Sequence, residues 1–280
     1  MKHLEVTNIQ RGCVYDGPGV RTTIFFRGSL FKCPWCCNPE NIYIDKKYFI
    51  DESKCLKNKG VESRLCNSCE RNDGSSPLVD CPFGVTTNII NEYIIDDLVY
   101  EIMKDRTIFE MSSGGVTLSG GEPLLHVDCL IELCKKLKDN NINIWVESTL
   151  CLKTNDLESI IPYIDGVILD LKLQRENHRQ TSEYITLIKE NIDLLIHYNI
   201  LLTYRIVFVN SLCDDIEFVV DSLNQLRVKL IEILPCHNLG ENKYRKLELP
   251  YTKFSYLKSK LELFEEVLSS NSIKFKTLYI

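Results

Sequence analysis

Six short runs rich in β-branched residues, each followed by an amphipathic segment, predict an α/β chain built as a partial (β/α)6 barrel of the TIM-like kind. Two further observations shape that reading. Polar residues recur at the C-terminal ends of the runs, and a cysteine-rich interval without strand or helix period separates the first run from the second. A chain of 280 residues can bury one large core, so one principal domain over 1–280 is expected, with a small insertion inside it.

RTTIFFRG (21–28) reads as the first strand. GVTLS (115–119), INIWVES (142–148), GVILDLK (166–172), LLTYRIVFV (201–209) and VKLIEIL (228–234) supply the other five, and IKFKTLYI is a candidate for a final strand. HVDCLIELCKKLKDN, SEYITLIKENIDLLIHYN and YTKFSYLKSKLELFEEVLSS repeat apolar residues three and four apart, the helical period. EYIIDDLVYEIMKD (92–105) shares it. Residues 37–91 hold no βα unit, and their content of Cys, Asn, Ser, Asp and Gly predicts an insertion, over 48–90, held by a metal rather than by a core.

Composition narrows the class of function. A hydrophobic fraction of 44% and a charged fraction of 26% are those of a globular protein. The net charge of −6 and pI near 5.5 argue against a nucleic-acid partner, which needs a concentrated basic face. No apolar run approaches the roughly 18 to 20 residues that span a bilayer, so no membrane role is expected. MKHLEVTNIQRG lacks a secretory h-region, which predicts a cytoplasmic location and reduced thiols. In a reducing compartment thirteen cysteines, eight of them between residues 13 and 81, read as metal or redox ligands rather than disulfides.

A parallel barrel gathers the C-terminal ends of its strands on one face, where its chemistry sits. Here those ends are Gly28-Ser29, Ser119-Gly120-Gly121-Glu122-Pro123, Glu147-Ser148, Asp170 with Lys172, and Pro235-Cys236-His237, with Arg205 inside the fifth strand. Singly, each could be a turn or a solvated charge. Together they predict a mixed-charge pocket for a zwitterionic ligand, with glycine N–H groups free to approach it.

In FFRGSLFKCPWCCNPEN (25–41), Cys33, Cys36 and Cys37 fall within five positions. The insertion adds Cys55, Cys66, Cys69 and Cys81, with a CxxC pair in CNSC and a Cys-Pro ending. Four such thiolates serve an iron–sulfur cluster, which the Cys-Pro ending favours, or a structural zinc. Cys129, Cys134, Cys151 and Cys213 lie on helical patterns or loops and read as small buried hydrophobes; Cys13, before the turn DGPG, is left open.

The ordered segments YDGPGVRTTIFFRG, KCPWCCNPEN, SSGGVTLSGGEPLL, VILDLK and LPCHNLGENKY, which run through nearly the whole chain, resemble the radical S-adenosylmethionine (SAM) superfamily. Within it they resemble the activating enzymes of glycyl radical enzymes, relatives of pyruvate formate-lyase activase. The resemblance implies a [4Fe–4S] cluster on a CxxxCxxC motif, with Cys33 and Cys36 as the second and third cysteines. It places Trp35, Cys36 and Cys37 against adenine and gives Gly120, Gly121 and Glu122 the SAM amino group. Glu147, Ser148, Asp170, Leu171, Lys172, Arg205 and His237 then complete the SAM contacts. The implied activity is reductive cleavage of SAM to a 5′-deoxyadenosyl radical that abstracts hydrogen from a glycine of a partner, a glycyl radical enzyme. Flavodoxin or ferredoxin would donate the electron to a monomeric activase. Many members carry a ferredoxin-like insertion, usually with eight cysteines; the four here imply one auxiliary [4Fe–4S] cluster.

The chain departs from the pattern at Ser29, which stands where the first cluster cysteine belongs. An alkoxide is a harder and more basic ligand than a thiolate, so a cluster held through Ser29 is expected to be weaker or altered. The serine is an engineered replacement, a natural ligand substitution, or the mark of a member without radical activity. Cys37 is a poor substitute, because adjacent side chains do not easily reach two corners of one cube. The alternatives to an activase are a radical SAM enzyme acting on a small molecule and a non-catalytic iron–sulfur protein.

Overall fold

The computed structural model describes residues 3–66, 81–174 and 182–279. Its strands are β1 (His3–Cys13), β2 (Arg21–Phe26), β3 (Tyr48–Ile50), β4 (Thr86–Asn88), β5 (Asn91–Ile94), β6 (Gly115–Gly120), β7 (Asn143–Ser148), β8 (Gly166–Leu171), β9 (Leu201–Phe208), β10 (Leu230–Pro235) and β11 (Lys274–Thr277). The α-helices are α1 (Ile95–Met103), α2 (Arg106–Ser112), α3 (Val127–Asp139), α4 (Thr154–Ile160), α5 (Ser182–His197), α6 (Ile216–Gln225), α7 (Glu241–Lys246) and α8 (Lys258–Ser270).

One nine-stranded sheet runs β11-β10-β9-β8-β7-β6-β2-β1-β5. Every pairing from β2 to β11 is parallel, so the six expected strands are present and the C-terminal segment adds a seventh. The edges, β5 and β11, each have a single neighbour, which makes the barrel partial. Strands such as β6 and β8 are buried along almost their whole length, as parallel strands covered on both faces must be. Helices pack outside: α3 buries Leu130, Leu133, Cys134 and Leu137, and α8 buries Leu261, Phe264 and Leu268.

Two elements lie outside the βα pattern. β1 pairs antiparallel with β2, from Val6 opposite Phe26 to Cys13 opposite Arg21, and β5 pairs antiparallel with β1. The helical reading of 92–105 therefore begins three residues early, since Glu92 to Ile94 belong to β5 and α1 starts at Ile95. The last long helix also starts later than its periodicity suggests, at Lys258 rather than Tyr251. The reason is tertiary: Asn238 Oδ1 accepts from Phe254 N at 2.9 Å, and Asn210 Oδ1 from Leu257 N at 2.8 Å, drawing that backbone away from a helix.

The insertion is bracketed by its own antiparallel pair, β3 with β4. Between them the described residues form short 3₁₀ turns. Cys55 is buried, Cys66 and Cys81 are half-buried, and Cys69 lies outside the described residues. No helix among the described residues is long and apolar enough to cross a membrane.

Candidate active site

The polar strand ends converge on a cavity of about 600 Å³ at the C-terminal face of the sheet. Its floor begins where β2 meets β6. Gly121 N donates to Phe26 O at 2.9 Å and Glu122 N to Gly28 O at 2.7 Å, so the Gly-Gly-Glu turn is lashed to the residue before Ser29. A Cβ on Gly121 would sit 1.5 Å from Gly28 O, and Gly120 adopts φ of 110° with Phe26 N only 2.3 Å from where its Cβ would be. Only glycine fits at either position.

Ser29 then closes a small turn, its Oγ donating to Phe31 O at 2.9 Å and accepting from Phe31 N at 3.3 Å. Cys36 N donates to Cys33 O at 3.0 Å, and Asn38 N points to Cys36 Sγ at 3.3 Å. Burial pushes the Cys36 thiol well above its ordinary value, the nearby Cys37 and Cys33 adding to the effect, so Cys36 is a thiol until a cation or metal compensates it. Ser29, Cys33, Cys36 and Cys37 all line the cavity. Among the described residues, however, no three His, Cys, Asp or Glu side chains are grouped so as to hold a metal ion. Cys37 therefore does not join Cys33 and Cys36 in a three-thiol set; the donors on offer are two thiols and the Ser29 hydroxyl.

The opposite wall carries charge. Lys172 is largely buried, its side chain 11% exposed, and although burial opposes its charge, the adjacent Asp170 carboxylate outweighs it and holds the ammonium protonated. Its Nζ lies 2.5 Å from Asp170 Oδ2, while Asp170 Oδ1 is buried without a hydrogen-bond partner. Arg205 Nη1 meets Glu147 Oε1 at 2.8 Å and Nη2 meets Glu232 Oε2 at 2.9 Å, with Asp16 Oδ1 at 3.7 Å. Glu147 Oε2 also accepts from Ser119 Oγ at 2.6 Å. Burial and the adjacent Glu147 push the Asp16 carboxyl up, against the pull of Thr23 and Arg205. His237, on the rim, is held low by burial, and its Nδ1 lies 3.4 Å from Leu239 N, which leaves the proton of the neutral ring on Nε2.

Trp35, Cys36, Cys37, Gly120, Gly121, Glu147, Ser148, Asp170, Lys172, Arg205 and His237 thus share one cavity. Glu122 and Leu171, expected there, do not line it. The Glu122 carboxylate turns away, accepting from Leu124 N at 3.4 Å and from Thr149 N and Oγ1 at 3.0 and 2.9 Å. Leu171 alternates to the other face of β8 from Asp170 and is fully buried in the core. The lining also includes Cys13 at the end of β1, Tyr15 and Asp16 from the β1–β2 turn, and Lys243. An Asp inside the Gly-Pro turn DGPG was the available signal for the first group; Lys243 lay within the segment LPCHNLGENKY, but nothing in the sequence paired it with a loop more than 200 residues away.

The fold and this site define an iron–sulfur enzyme of the radical SAM class, and residues 15–192 match the family described as a 4Fe-4S single cluster domain. Over 281 residues the chain is 32% identical to the 4-hydroxyphenylacetate decarboxylase activating enzyme of Clostridioides difficile (strain CD196), covering 89% of this chain and 88% of that one. It is 31% identical to the pyruvate formate-lyase 2-activating enzyme of Escherichia coli (strain K12), over 86% of this chain and 80% of the other. Among solved structures, Streptococcus suis SuiB bound to precursor peptide SuiA shares the fold at a TM-score of 0.51 and 14% identity, over 90% of this chain and 46% of that one. The chain belongs to the glycyl radical enzyme activating enzymes, whose cofactors are SAM and a [4Fe–4S] cluster.

The residues present fit those groups. A largely buried ammonium beside an unpartnered carboxylate oxygen, with bare glycine backbone lining the same cavity, suits an amino acid zwitterion. Two cavity-lining thiols and a hydroxyl at CxxxCxxC spacing suit a cluster, with one oxygen donor in place of sulfur.

Proposed function

We propose that this protein activates a glycyl radical enzyme by transferring one hydrogen atom from a glycine of that partner to a SAM-derived radical. When bound, the reduced cluster and SAM supply a one-electron cleavage that yields methionine and a 5′-deoxyadenosyl radical, which becomes 5′-deoxyadenosine on taking the glycine hydrogen. The chain's own part is to bind and orient. Cys33, Cys36 and Ser29 Oγ hold the cluster, and Lys172 offsets the charge of the two thiolates. The Gly120–Gly121 backbone, Asp170, Glu147, Ser148 and His237 seat the methionyl end, Arg205 fixes the Glu147 side chain in place, and Trp35 with the Cys36–Cys37 backbone walls the adenine. The observation that carries this reading is the convergence of Ser29, Cys33 and Cys36 with Lys172 and the paired glycines in one cavity.

The insertion over 48–90 is proposed to hold one auxiliary cluster on Cys55, Cys66, Cys69 and Cys81, in a ferredoxin-like subdomain, and the working form to be a monomer reduced by flavodoxin or ferredoxin. Anaerobic reconstitution of wild type and Ser29→Cys, followed by iron analysis and assay of 5′-deoxyadenosine, tests the whole. Filling both sites gives about eight irons per chain, and the serine-held cluster alone is expected to be labile. Ser29→Cys should raise both cluster retention and SAM cleavage. A fully loaded Ser29→Cys protein that neither binds nor cleaves SAM would show a non-catalytic iron–sulfur protein instead.

A further inference from the structure

The loop carrying Ser29, Cys33, Cys36 and Cys37 is tied to the barrel at its ends, where Gly28 N donates to Asn41 O at 3.1 Å and Thr7 Oγ1 to Asn41 Oδ1 at 2.7 Å. Its middle is held from the other end of the chain. Gly240, at the start of α7, lies so close that a Cβ there would be 2.8 Å from Cys37 Cα and 3.2 Å from Cys36 O. One turn on, Lys243 Nζ donates to Asn38 Oδ1 at 2.6 Å and to Glu40 Oε1 at 2.5 Å. The Glu40 side chain is 5% exposed, and its Oε2 has no hydrogen-bond partner, so this buried carboxylate depends on Lys243.

The segment around Lys243 is itself anchored. Lys246 pairs with Asp51 at 3.1 Å, Tyr244 packs on Tyr251, and Tyr251 Oη donates to Asn238 Oδ1 at 2.5 Å. Phe254, bonded to Asn238, sets its ring edge-on to Trp35 at 5.9 Å. Residues 237–254 thus form a strap that begins at the cavity wall, crosses the Cys36–Cys37 backbone and ends on Trp35.

We propose that Lys243 is a positioning residue: it clamps the cysteine loop to α7 through Asn38 and Glu40 and so sets the direction of Cys36 and Cys37. This rests on the activase reading for its purpose, and it matters more here than in a three-thiolate site, because a loop with two thiolate tethers is held less by its metal. The clamp itself can be tested without the cluster.

Full-length apoprotein, reduced and freed of iron, would be pulse-labelled with N-ethylmaleimide and read peptide by peptide by mass spectrometry. Lys243→Met should speed labelling of Cys36 and Cys37 about tenfold, as expected when a local opening is made easier. Lys243→Arg, which keeps the charge and the donors, should restore the slow rate, and Glu40→Gln should fall between. Cys134, on the buried face of α3, reports global unfolding and should be unchanged in all three. Equal labelling in wild type and Lys243→Met, or acceleration that includes Cys134, would overturn the proposal. In reconstituted protein, the change that SAM causes in the electron paramagnetic resonance spectrum of the reduced cluster should weaken in Lys243→Met and return in Lys243→Arg. If no variant, Ser29→Cys included, binds a cluster while the labelling pattern holds, the activase reading fails and the clamp stands.

Discussion

Replacing Gly121 by alanine should dismantle the junction between the glycine turn and the cluster loop. Gly121 needs no left-handed backbone; its constraint is contact alone, since a Cβ would lie 1.5 Å from Gly28 O and 2.5 Å from Gly28 C. Restoring an ordinary contact of 3.4 Å moves the backbone by about 2 Å. That shift breaks the bonds from Gly121 N to Phe26 O and from Glu122 N to Gly28 O, now 2.9 and 2.7 Å long. Two buried amide bonds left unmade cost about 1 to 3 kcal/mol each, and the overpacking about 1 to 3 more. The sum, about 3 to 9 kcal/mol, is comparable with the whole stability of a domain. Denaturant unfolding of the apoprotein measures it, with Gly60→Ala as control. Gly60 has φ of 69° but no heavy atom within 4 Å of its missing Cβ, so that variant should lose only about 1 kcal/mol. A Gly121→Ala protein as stable as the control, and retaining as much iron as wild type, would refute the reasoning.

Two other expectations concern buried charge. Arg21 is fully buried at the opposite end of the barrel, its Nε donating to Thr117 Oγ1 at 2.7 Å and its Nη2 to Val116 O at 2.6 Å, with Nη1 on Pro18 O and Asn143 Oδ1. Burial lowers its pKa only to about 10, so it is charged at neutral pH, and Arg21→Met should cost about 3 to 5 kcal/mol in denaturant unfolding by stranding those acceptors. Burial raises the Glu122 carboxyl above its ordinary 4.5, against the bonds from Thr149, Ser148 and Leu124. The folded state therefore holds a proton that the unfolded chain releases, and stability falls as pH rises from 4.5 through the folded value. Glu122→Gln should remove that slope, seen as a wild-type minus variant difference that declines with pH; a difference independent of pH would contradict it.

Much of the architecture was legible because it depends on period. Strand runs such as GVILDL and the apolar stripe of α3 announce themselves over a few residues, since a buried parallel strand and a half-buried helix leave different repeats. β1 was harder to see. Its first buried residues, Leu4 and Val6, are followed by a mostly polar stretch before Cys13, and the segment becomes a strand by pairing with β2 and β5 rather than by its own pattern. The same limit hid the start of α8, where two asparagines from distant loops take the backbone donors.

The site divides along the same line. Which residues stand at the strand ends, and that a serine rather than a cysteine stands four residues before Cys33, were properties of the order of the chain alone, because parallel strands deliver their C-terminal ends to one face. Where each side chain turns was decided by tertiary contacts. Glu122 is adjacent in sequence to the glycines of the cavity yet caps its own turn and holds Thr149, while Leu171, between Asp170 and Lys172, faces the core. Asp16 and Lys243 enter the cavity lining from opposite ends of the sequence. The physical reason is that a motif fixes spacing along the chain, whereas the direction of a buried polar group is set by whichever partner satisfies it, and in a barrel that partner is often a hundred residues away.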